Sequence, residues 1–319
     1  MAGAGRGGRS LTGAPGPGVS HGVLLLSFGS ARDEDDVPAY LDRVRRGRPV
    51  PAALVADLRA RYRRIGGSPL ADITRRQAML LQLRLDPRGR GDVLVRPAML
   101  HAAPEIPDAV ADLLGAGARC LVTLPLAPQV SPHHAAYEAA VREAVAGRAP
   151  VHVAGSWHRH PVLLGAIARR TAPLLAARDD AEPAAVLFTA HSLPLGVPGV
   201  ETYRSQVGET AADLARRLGL EPGAWRMVFQ SRSGPAEDWL GPDIGDAIPE
   251  LAATGCRRLV VVPVQFMTDH LEVLYDLDVA ARAAAEAAGM RYLRPGSLNA
   301  APELIQALAD AVAAAPGDA

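Results

Sequence analysis

Short apolar runs alternate with longer amphipathic stretches along most of the chain. The runs cover residues 21–27, 93–99, 121–126, 151–154, 185–189, 226–230 and 259–265. Runs of this length indicate buried strands, and the stretches between them have the apolar spacing and glycine ends of helices. Regular alternation of strands and helices predicts an α/β fold, with a parallel sheet and helices on both of its faces.

The chain also contains an internal repeat. Residues 108–125 align without gaps on residues 246–263, and both segments predict an amphipathic helix that ends at a glycine, Gly117 or Gly255. Both continue into an apolar strand closed by a proline, Pro125 or Pro263. The repeat favours two similar halves with a boundary near residue 155. Residues 1–20, which are rich in glycine and proline, are expected to form a disordered N-terminal tail.

Charge and composition exclude several classes of function. The 319 residues carry 34 basic and 34 acidic side chains, which leaves no positive surplus to bind a phosphate backbone and predicts no nucleic-acid partner. Every basic residue is arginine, which is typical of a GC-rich genome. Without lysine, the chain can form neither a Schiff base nor a P-loop.

Cysteine content and apolar-run length bear on cofactors and location. Cys120 and Cys256 cannot supply the four thiolates of an iron–sulfur cluster, and neither lies in a zinc-binding pattern. The longest apolar runs are about six residues, against the roughly 20 that cross a bilayer. We therefore expect no iron–sulfur cluster, no membrane span and a cytoplasmic protein.

Polar side chains gather just after the predicted strands, where parallel sheets bind ligands. His191 follows the run at 185–189, where an imidazole can accept a proton from a ligand. Asp269, Glu272 and Asp276 have the spacing of one helical face, with His270 about a quarter turn aside. That face is either a solvated acidic surface or a path for a divalent metal, and burial in a cleft would distinguish the two. Two more imidazoles follow the run at 121–126, those of His133 and His134.

A second cluster of charged residues is basic. It comprises Arg43, Arg45, Arg46, Arg48, Arg59, Arg61, Arg63 and Arg64, and a Gly66-Gly67-Ser68 turn follows it. These arginines are either solvated helix positions or the binding groups for an anion with several carboxylates. The glycines match neither nucleotide-binding pattern, so a nucleotide site is poorly supported.

Several sequence blocks, in this order, resemble the ferrochelatase family from about Gly22 to Ala311. They are Gly66-Gly67-Ser68-Pro69-Leu70 with Ile73, Thr74 and Gln77, then Ala190-His191-Ser192-Leu193-Pro194, Gln230-Ser231-Arg232, Trp239-Leu240-Gly241-Pro242-Asp243, and the segment from Asp269 to Asp276. The resemblance implies two Rossmann-like domains, residues 21–155 and 156–319, with a porphyrin cleft between them and the last helix able to pack back on the first domain. Arg45-Arg46-Gly47-Arg48 and Glu272-Val273-Leu274-Tyr275-Asp276 are most similar to the short bacterial type that metallates coproporphyrin III.

The resemblance also implies roles for individual residues. His191 and Glu272 would be the catalytic pair facing the macrocycle, and Asp276 would join them as a metal-binding residue. The expected porphyrin-binding residues are Phe28, Arg45, Arg61, Tyr62, Ser68 and Tyr137. The chain departs from the family at Ala280, where an acid is common, and at Phe28, which lacks the hydroxyl with which a tyrosine contacts iron in related enzymes.

The function expected from the resemblance is insertion of Fe(II) into coproporphyrin III during heme biosynthesis, with release of two protons. His191 would accept the pyrrole protons, while Glu272 would handle either metal entry or proton exit. Porphyrin and ferrous iron are then the only expected partners of a monomeric enzyme without a tightly bound cofactor. The alternatives are a protoporphyrin IX ferrochelatase, a sirohydrochlorin-type chelatase and a porphyrin carrier without turnover.

Overall fold

The computed structural model describes residues 19–176, 184–233 and 236–315. Almost all of the predicted tail, residues 1–18, lies outside the described residues. The strands are β1 (His21–Ser27), β2 (Val93–Met99), β3 (Cys120–Pro125), β4 (Val151–Val153), β5 (Ala185–His191), β6 (Trp225–Gln230), β7 (Arg258–Pro263) and β8 (Arg291–Leu293). The first-half helices are α1 (Val37–Arg45), α2 (Ala52–Ile65), α3 (Leu70–Leu85), α4 (Ile106–Gly115) and α5 (His133–Val145). They are followed by α6 (Pro161–Leu175), α7 (Val200–Leu218), α8 (Ile244–Ala253), α9 (Leu271–Leu274), α10 (Arg282–Ala287) and α11 (Pro302–Ala313).

Two parallel four-stranded sheets confirm the predicted α/β fold. Their strand orders are β2-β1-β3-β4 and β6-β5-β7-β8, so the halves have the same topology. The repeated segments occupy equivalent places, since α4 and β3 in one half correspond to α8 and β7 in the other. Gly117 and Gly255 follow the two repeated helices with φ of 96° and 90°, a conformation that glycine adopts without steric cost. The boundary expected near residue 155 falls between β4 and α6.

Alternating side chains of the central strands pack against helices on both faces of each sheet. In β1, Val23 and Leu25 belong to one core cluster, whereas Leu24 and Leu26 belong to another. The first of these clusters also contains Phe188 of β5 and Leu304 of α11, so it runs through both halves. Helix α11 contacts α3 of the first half as well as α6. This shared core fixes the carboxyl ends of the two sheets relative to each other.

The carboxylate-rich segment differs from its prediction. Helix α9 begins only at Leu271 and is four residues long, and a π-helical segment, Asp276–Ala281, follows it after Tyr275. Asp269 therefore precedes the helix, and its carboxylate accepts hydrogen bonds from Ser297 Oγ (2.5 Å) and Asn299 Nδ2 (2.7 Å). The prediction that Asp269 shares a helical face with Glu272 and Asp276 is wrong, because Ser297 and Asn299 hold Asp269 by hydrogen bonds and the backbone is extended at His270.

The strands agree with the apolar runs, with one omission. The three residues of β8 pair with β7, Arg258 opposite Arg291, but a run this short carries no apolar signal. The last apolar run, 259–265, is therefore not the last strand of the fold. Within the described residues, the helices are all too short or too polar to cross a membrane.

Candidate active site

A cavity of about 420 Å³ opens at the carboxyl ends of the central strands. Its volume is within the range of small-molecule sites. Both halves of the molecule line it, mainly with apolar and aromatic side chains and a few polar groups. The lining includes Phe28, Val44, Leu70, His133 and Tyr137 from the first half, and His191, Trp239, Phe266, His270 and Glu272 from the second.

His191, the last residue of β5, is held at the cavity by three hydrogen bonds. Its backbone N–H donates to Gln265 Oε1 (2.9 Å), and the Tyr203 hydroxyl donates to its carbonyl oxygen (2.9 Å). Its ring Nδ1 bonds to the carbonyl oxygen of Ser192. Because a carbonyl can only accept, Nδ1 carries the hydrogen, and in the neutral ring Nε2 keeps its lone pair.

Glu272 lies between two imidazoles. Its Oε2 is 3.5 Å from His191 Nε2 and 4.0 Å from His270 Nε2, and no described residue hydrogen-bonds to this buried oxygen. His270 Nδ1 donates to the carbonyl oxygen of Thr268 (2.9 Å), so its Nε2 also carries a lone pair. Three acceptors thus converge with no hydrogen between them. Such a group can take up protons, or contact a divalent cation that has further ligands of its own.

A buried amide holds the backbone of Glu272. Gln230, at the end of β6, donates from Nε2 to the carbonyl oxygen of Glu272 (2.8 Å) and accepts from Thr189 Oγ1 (2.8 Å). Thr189 lies two residues before His191 on β5. The two site residues are thereby tied to the same pair of neighbouring strands.

Asp276 lies near enough to Glu272 to feel its charge but is not among the cavity-lining residues. Ser231 Oγ donates to its Oδ2 (2.5 Å), and Arg61 Nη1 lies 3.6 Å from its Oδ1. Burial, together with the neighbouring charge of Glu272, raises the pKa of Asp276 to about 6 despite the Ser231 hydrogen bond. The acidic surface is therefore partly buried beside a cavity, which favours a metal or proton path over a solvated face.

Aromatic rings form the first-half wall of the cavity. The ring of Phe28 lies 4.8 Å from that of His133 and 4.6 Å from that of His101, centroid to centroid. Burial, and then the nearby His191 imidazole, lower the pKa of His133 to about 4. The neutral imidazole is therefore the form of His133 at physiological pH. Tyr137, 6 % exposed, completes this wall, and burial raises its pKa.

The structure brings only some of the predicted residues to the cavity. His191, Glu272, Phe28 and Tyr137 line it, whereas Arg45, Arg61, Tyr62 and Ser68 are not among its lining residues.

Tyr62 is 1 % exposed, and its hydroxyl lies 2.7 Å from Ser30 Oγ and accepts from the Ala31 N–H (3.1 Å). Burial raises the pKa of Tyr62 to about 12. Ser68 donates its backbone N–H to the Arg32 carbonyl (2.8 Å). Tyr62 and Ser68 thus support the turn after β1.

The predicted arginines lie outside the lining. Arg61 pairs with Asp57 (2.9 Å) and stacks over the Tyr275 ring (5.2 Å). Arg45 is half-buried, and its Nε has no hydrogen-bond partner in the described chain.

Several residues of the site were not assigned a role from the sequence. His270 was placed aside from the carboxylates, yet it lies beside Glu272. Gln265 ends a predicted strand, His101 follows one and Trp239 belongs to a quoted motif, so position at a strand end was the main available signal. In the described ranges, no set of three or more histidine, cysteine and carboxylate side chains is arranged to hold a metal by itself. Cys120 and Cys256 are thiols outside the cavity lining.

Comparison with known proteins gives consistent results. A family model described as Ferrochelatase matches residues 20–315. A Thermus thermophilus protein named Ferrochelatase is 35% identical over 92% of this chain and 98% of its own length. A Geobacillus protein named Coproporphyrin III ferrochelatase is 35% identical over 91% of this chain and 96% of its own. The solved structure of SirB from Bacillus subtilis with Fe3+ has a TM-score of 0.53 at 15% identity, covering 93% of this chain and 96% of that one. This last likeness concerns the fold alone.

Proposed function

The chain belongs to the ferrochelatase family of enzymes, which insert iron into a porphyrin, and we propose that its porphyrin substrate is coproporphyrin III. The observation that supports metal insertion most directly is the convergence of His191 Nε2 and His270 Nε2 on the unpaired Glu272 Oε2. Insertion removes two pyrrole protons, which these acceptors can take up, and delivers a divalent ion, which they can contact while the porphyrin nitrogens supply its other ligands. Ferrous iron is a substrate in this proposal, and the proposed enzyme needs no tightly bound cofactor.

In this proposal, His191 Nε2 accepts the pyrrole protons one at a time. The carboxylate of Glu272, 3.5 Å away, stabilises the imidazolium that forms. His270 Nε2 lies near the same carboxylate and is the next group that can accept the proton. Asp276 extends the path outward, and a carboxyl with a pKa of about 6 can exchange protons near neutral pH.

The cavity itself contributes to the reaction. A porphyrin must buckle to expose its nitrogen lone pairs, and a rigid cavity that fits the distorted ring favours the transition state over the flat substrate. Phe28 and Tyr137 provide apolar contact with one side of the ring. Tyr137 belongs to the core cluster that packs on the first sheet, and close packing keeps this part of the wall from yielding.

Charge at the edge of the site favours coproporphyrin III. This porphyrin carries four propionates, and planar guanidinium groups are suited to bind several carboxylates. Arg45 follows the cavity residue Val44, and its Nε has no hydrogen-bond partner among the described residues. Arg61 lies beside Asp276, and Tyr62 and Ser68 support the turn after β1. We assign Arg45 to a propionate and the other three to shaping its surroundings.

A water-soluble substrate fits a cytoplasmic enzyme that acts as a monomer. The proposal accordingly divides the chain into residues 21–155 and 156–319, with the porphyrin bound where the two meet. Nucleic acid has no role in it, because acidic and basic residues balance.

The test is anaerobic turnover with Fe(II) and three tetrapyrroles in detergent-free buffer. Coproporphyrin III, protoporphyrin IX and sirohydrochlorin are compared by kcat/KM, with loss of the free-base spectrum as the readout. We expect the highest value for coproporphyrin III, and we expect Arg45→Ala to raise its KM by about tenfold, the equivalent of one charge-assisted hydrogen bond. Arg64→Ala, a change on the exposed face of α2, is the matched control. Equal or better use of protoporphyrin IX would overturn the substrate assignment.

A further inference from the structure

The part of the cavity lining that the first half contributes contains an imidazole that the proposed reaction leaves unused. His133 is the first residue of α5 and lines the cavity. Its ring makes no hydrogen bond to any described residue, although it packs at 59° to the Phe28 ring. A ring placed only for packing would be served as well by phenyl, as Phe28 shows. A polar ring left without a partner at a ligand cavity is suited to bind the ligand itself.

The neighbouring histidine provides an internal comparison. His134 Nδ1 accepts from the Ser131 backbone N–H (3.0 Å), and its ring stands edge-on to Tyr137. His134 is not among the cavity-lining residues. Burial lowers its pKa to about 4, as it does for His133. Both imidazoles are therefore neutral, but His134 is hydrogen-bonded within the protein, whereas His133 lines the cavity.

We propose that His133 is the axial ligand of the iron in the metallated product, bound on the face of the macrocycle opposite His191. The inference rests on the proposed function, which places a flat macrocycle in a cavity bordered by His191 from one half and His133 from the other. Iron held by four ring nitrogens keeps axial positions open, and imidazole is a common ligand at such a position. One coordination bond forms, from a ring-nitrogen lone pair to iron. No proton moves and the oxidation state is unchanged.

The lowered pKa of His133 also supports this role, beside its position at the cavity. A protonated imidazole has no lone pair for iron, and burial keeps this ring neutral well below physiological pH. Phe28 contributes by positioning, since its ring limits how far the imidazole can tilt. Product bound in this way would be held in the cavity until a competing ligand or acceptor removes it.

The test titrates preformed iron coproporphyrin into wild-type protein and records resonance Raman and absorption spectra in the ferrous state. We expect an iron–histidine stretching band in wild type and in His134→Ala, and its loss in His133→Ala. Free imidazole added to His133→Ala should restore a five-coordinate imidazole spectrum. Product affinity should fall by roughly tenfold in His133→Ala, the equivalent of about 1.4 kcal/mol.

Other ligands give different outcomes. A band that persists in His133→Ala and disappears in His101→Ala or His191→Ala would overturn the proposal and identify another ligand. Thermal unfolding of each variant shows whether it is folded, and His133→Gln replaces His133→Ala if the latter is not. Turnover by wild type is measured in parallel, because its absence with every porphyrin would refute the proposed function, whereas the ligation spectra test His133 alone.

Discussion

The protonation of single side chains determines what the cavity can do. His191 and His270 both donate from Nδ1 to a backbone carbonyl, which directs two Nε2 lone pairs at Glu272 Oε2. Backbone carbonyls fix this tautomer more reliably than side chains would, because they cannot rotate to become donors. The site is thus preset to receive protons.

Replacing His191 by alanine should abolish most metal insertion. A positioned general base contributes about 100- to 10,000-fold, so we expect initial rates to fall by at least about 100-fold while porphyrin still binds. Rates are measured by loss of the free-base spectrum, and binding by quenching of porphyrin fluorescence. His160→Ala, which removes a contact of 3.3 Å with the Asp310 carboxylate away from the cavity lining, is the control. A His191→Ala rate within about threefold of wild type would contradict the proposed role.

Asp276 should contribute less to the stability of the folded protein at neutral pH than below pH 4. Its pKa is raised from 3.8 to about 6 on folding, so between these values the folded state binds more protons. This contribution to stability is present at low pH and lost as pH rises through 6. Asp276→Asn should therefore raise the free energy of unfolding at pH 7.5, by at most about 3 kcal/mol at 1.36 kcal/mol per unit. Urea unfolding at pH 7.5 and 5 measures this, and an equal effect at both would contradict it.

The sequence predicted which residues belong to the site better than it predicted where their side chains point. His191 and Glu272 were placed by resemblance, and both line the cavity with Phe28 and Tyr137. Tyr62 lies one residue after Arg61, yet its side chain enters the core and bonds Ser30. A motif fixes positions along a helix, but the packing of that helix decides which side chains reach the ligand.

At the scale of secondary-structure elements, a single amide joins strand and helix at the site. Gln230 lies fully buried between Thr189 of β5 and the Glu272 carbonyl. Gln230→Met keeps the size of the side chain and leaves both groups without a partner. We expect a loss of about 1–3 kcal/mol in stability and a lower kcat, since Glu272 loses its backbone support. Gln306→Met on α11, which breaks only a bond to Asp310, should change stability by less than about 0.5 kcal/mol.

The elements that sequence failed to predict share a physical cause. The three-residue β8 is specified by pairing with β7, not by its own pattern. The π-helical segment at 276–281 depends on where Asp276 and Leu277 pack, and a 3.6-residue period cannot express it. Repeated helices and strands were predicted because their apolar spacing and glycine ends are local features.

At the scale of the whole molecule, the two halves should unfold together. Their shared core contains α11 residues that contact both halves, among them the fully buried Leu308. Leu308→Ala should cost about 2–5 kcal/mol. Trp157 donates a hydrogen bond to the carbonyl of Pro125 in β3 and so reports on the first sheet. Trp225 packs on Phe188 in β5 and reports on the second sheet. The substitution should shift the fluorescence unfolding curves of both tryptophans by the same amount. The tryptophans are isolated by Trp→Phe changes, and two separated transitions would contradict a common core.

The repeat predicted two similar halves, and both sheets have the same strand order. The sequence could not predict the shared core, because it depends on contacts between residues far apart along the chain. Gln129 is an example: its Nε2 donates to Thr210 Oγ1 (3.1 Å) and to the Val264 carbonyl (3.0 Å). In the sequence, the same glutamine is only a polar residue after a strand.

Stability of the whole protein should fall in acid because of buried histidines. The pKa values of His133 and His134 are lowered from 6.5 to about 4, so between these values the unfolded state binds more protons, and stability is lost as pH falls below 6.5. Asp276 acts in the opposite direction below pH 6, whereas burial lowers the pKa of His21 and His101 and adds to the loss. Between pH 5 and 6, the unfolded state binds about two more protons at His133 and His134, and the folded state binds about one more at Asp276. The net difference of about one proton makes the free energy of unfolding fall by at least about 1.4 kcal/mol for each pH unit of acidification. His134→Asn, which removes one titrating group, should lower the slope of urea-derived unfolding free energy by up to about that amount, and an unchanged slope would show that His134 is not held neutral by the fold.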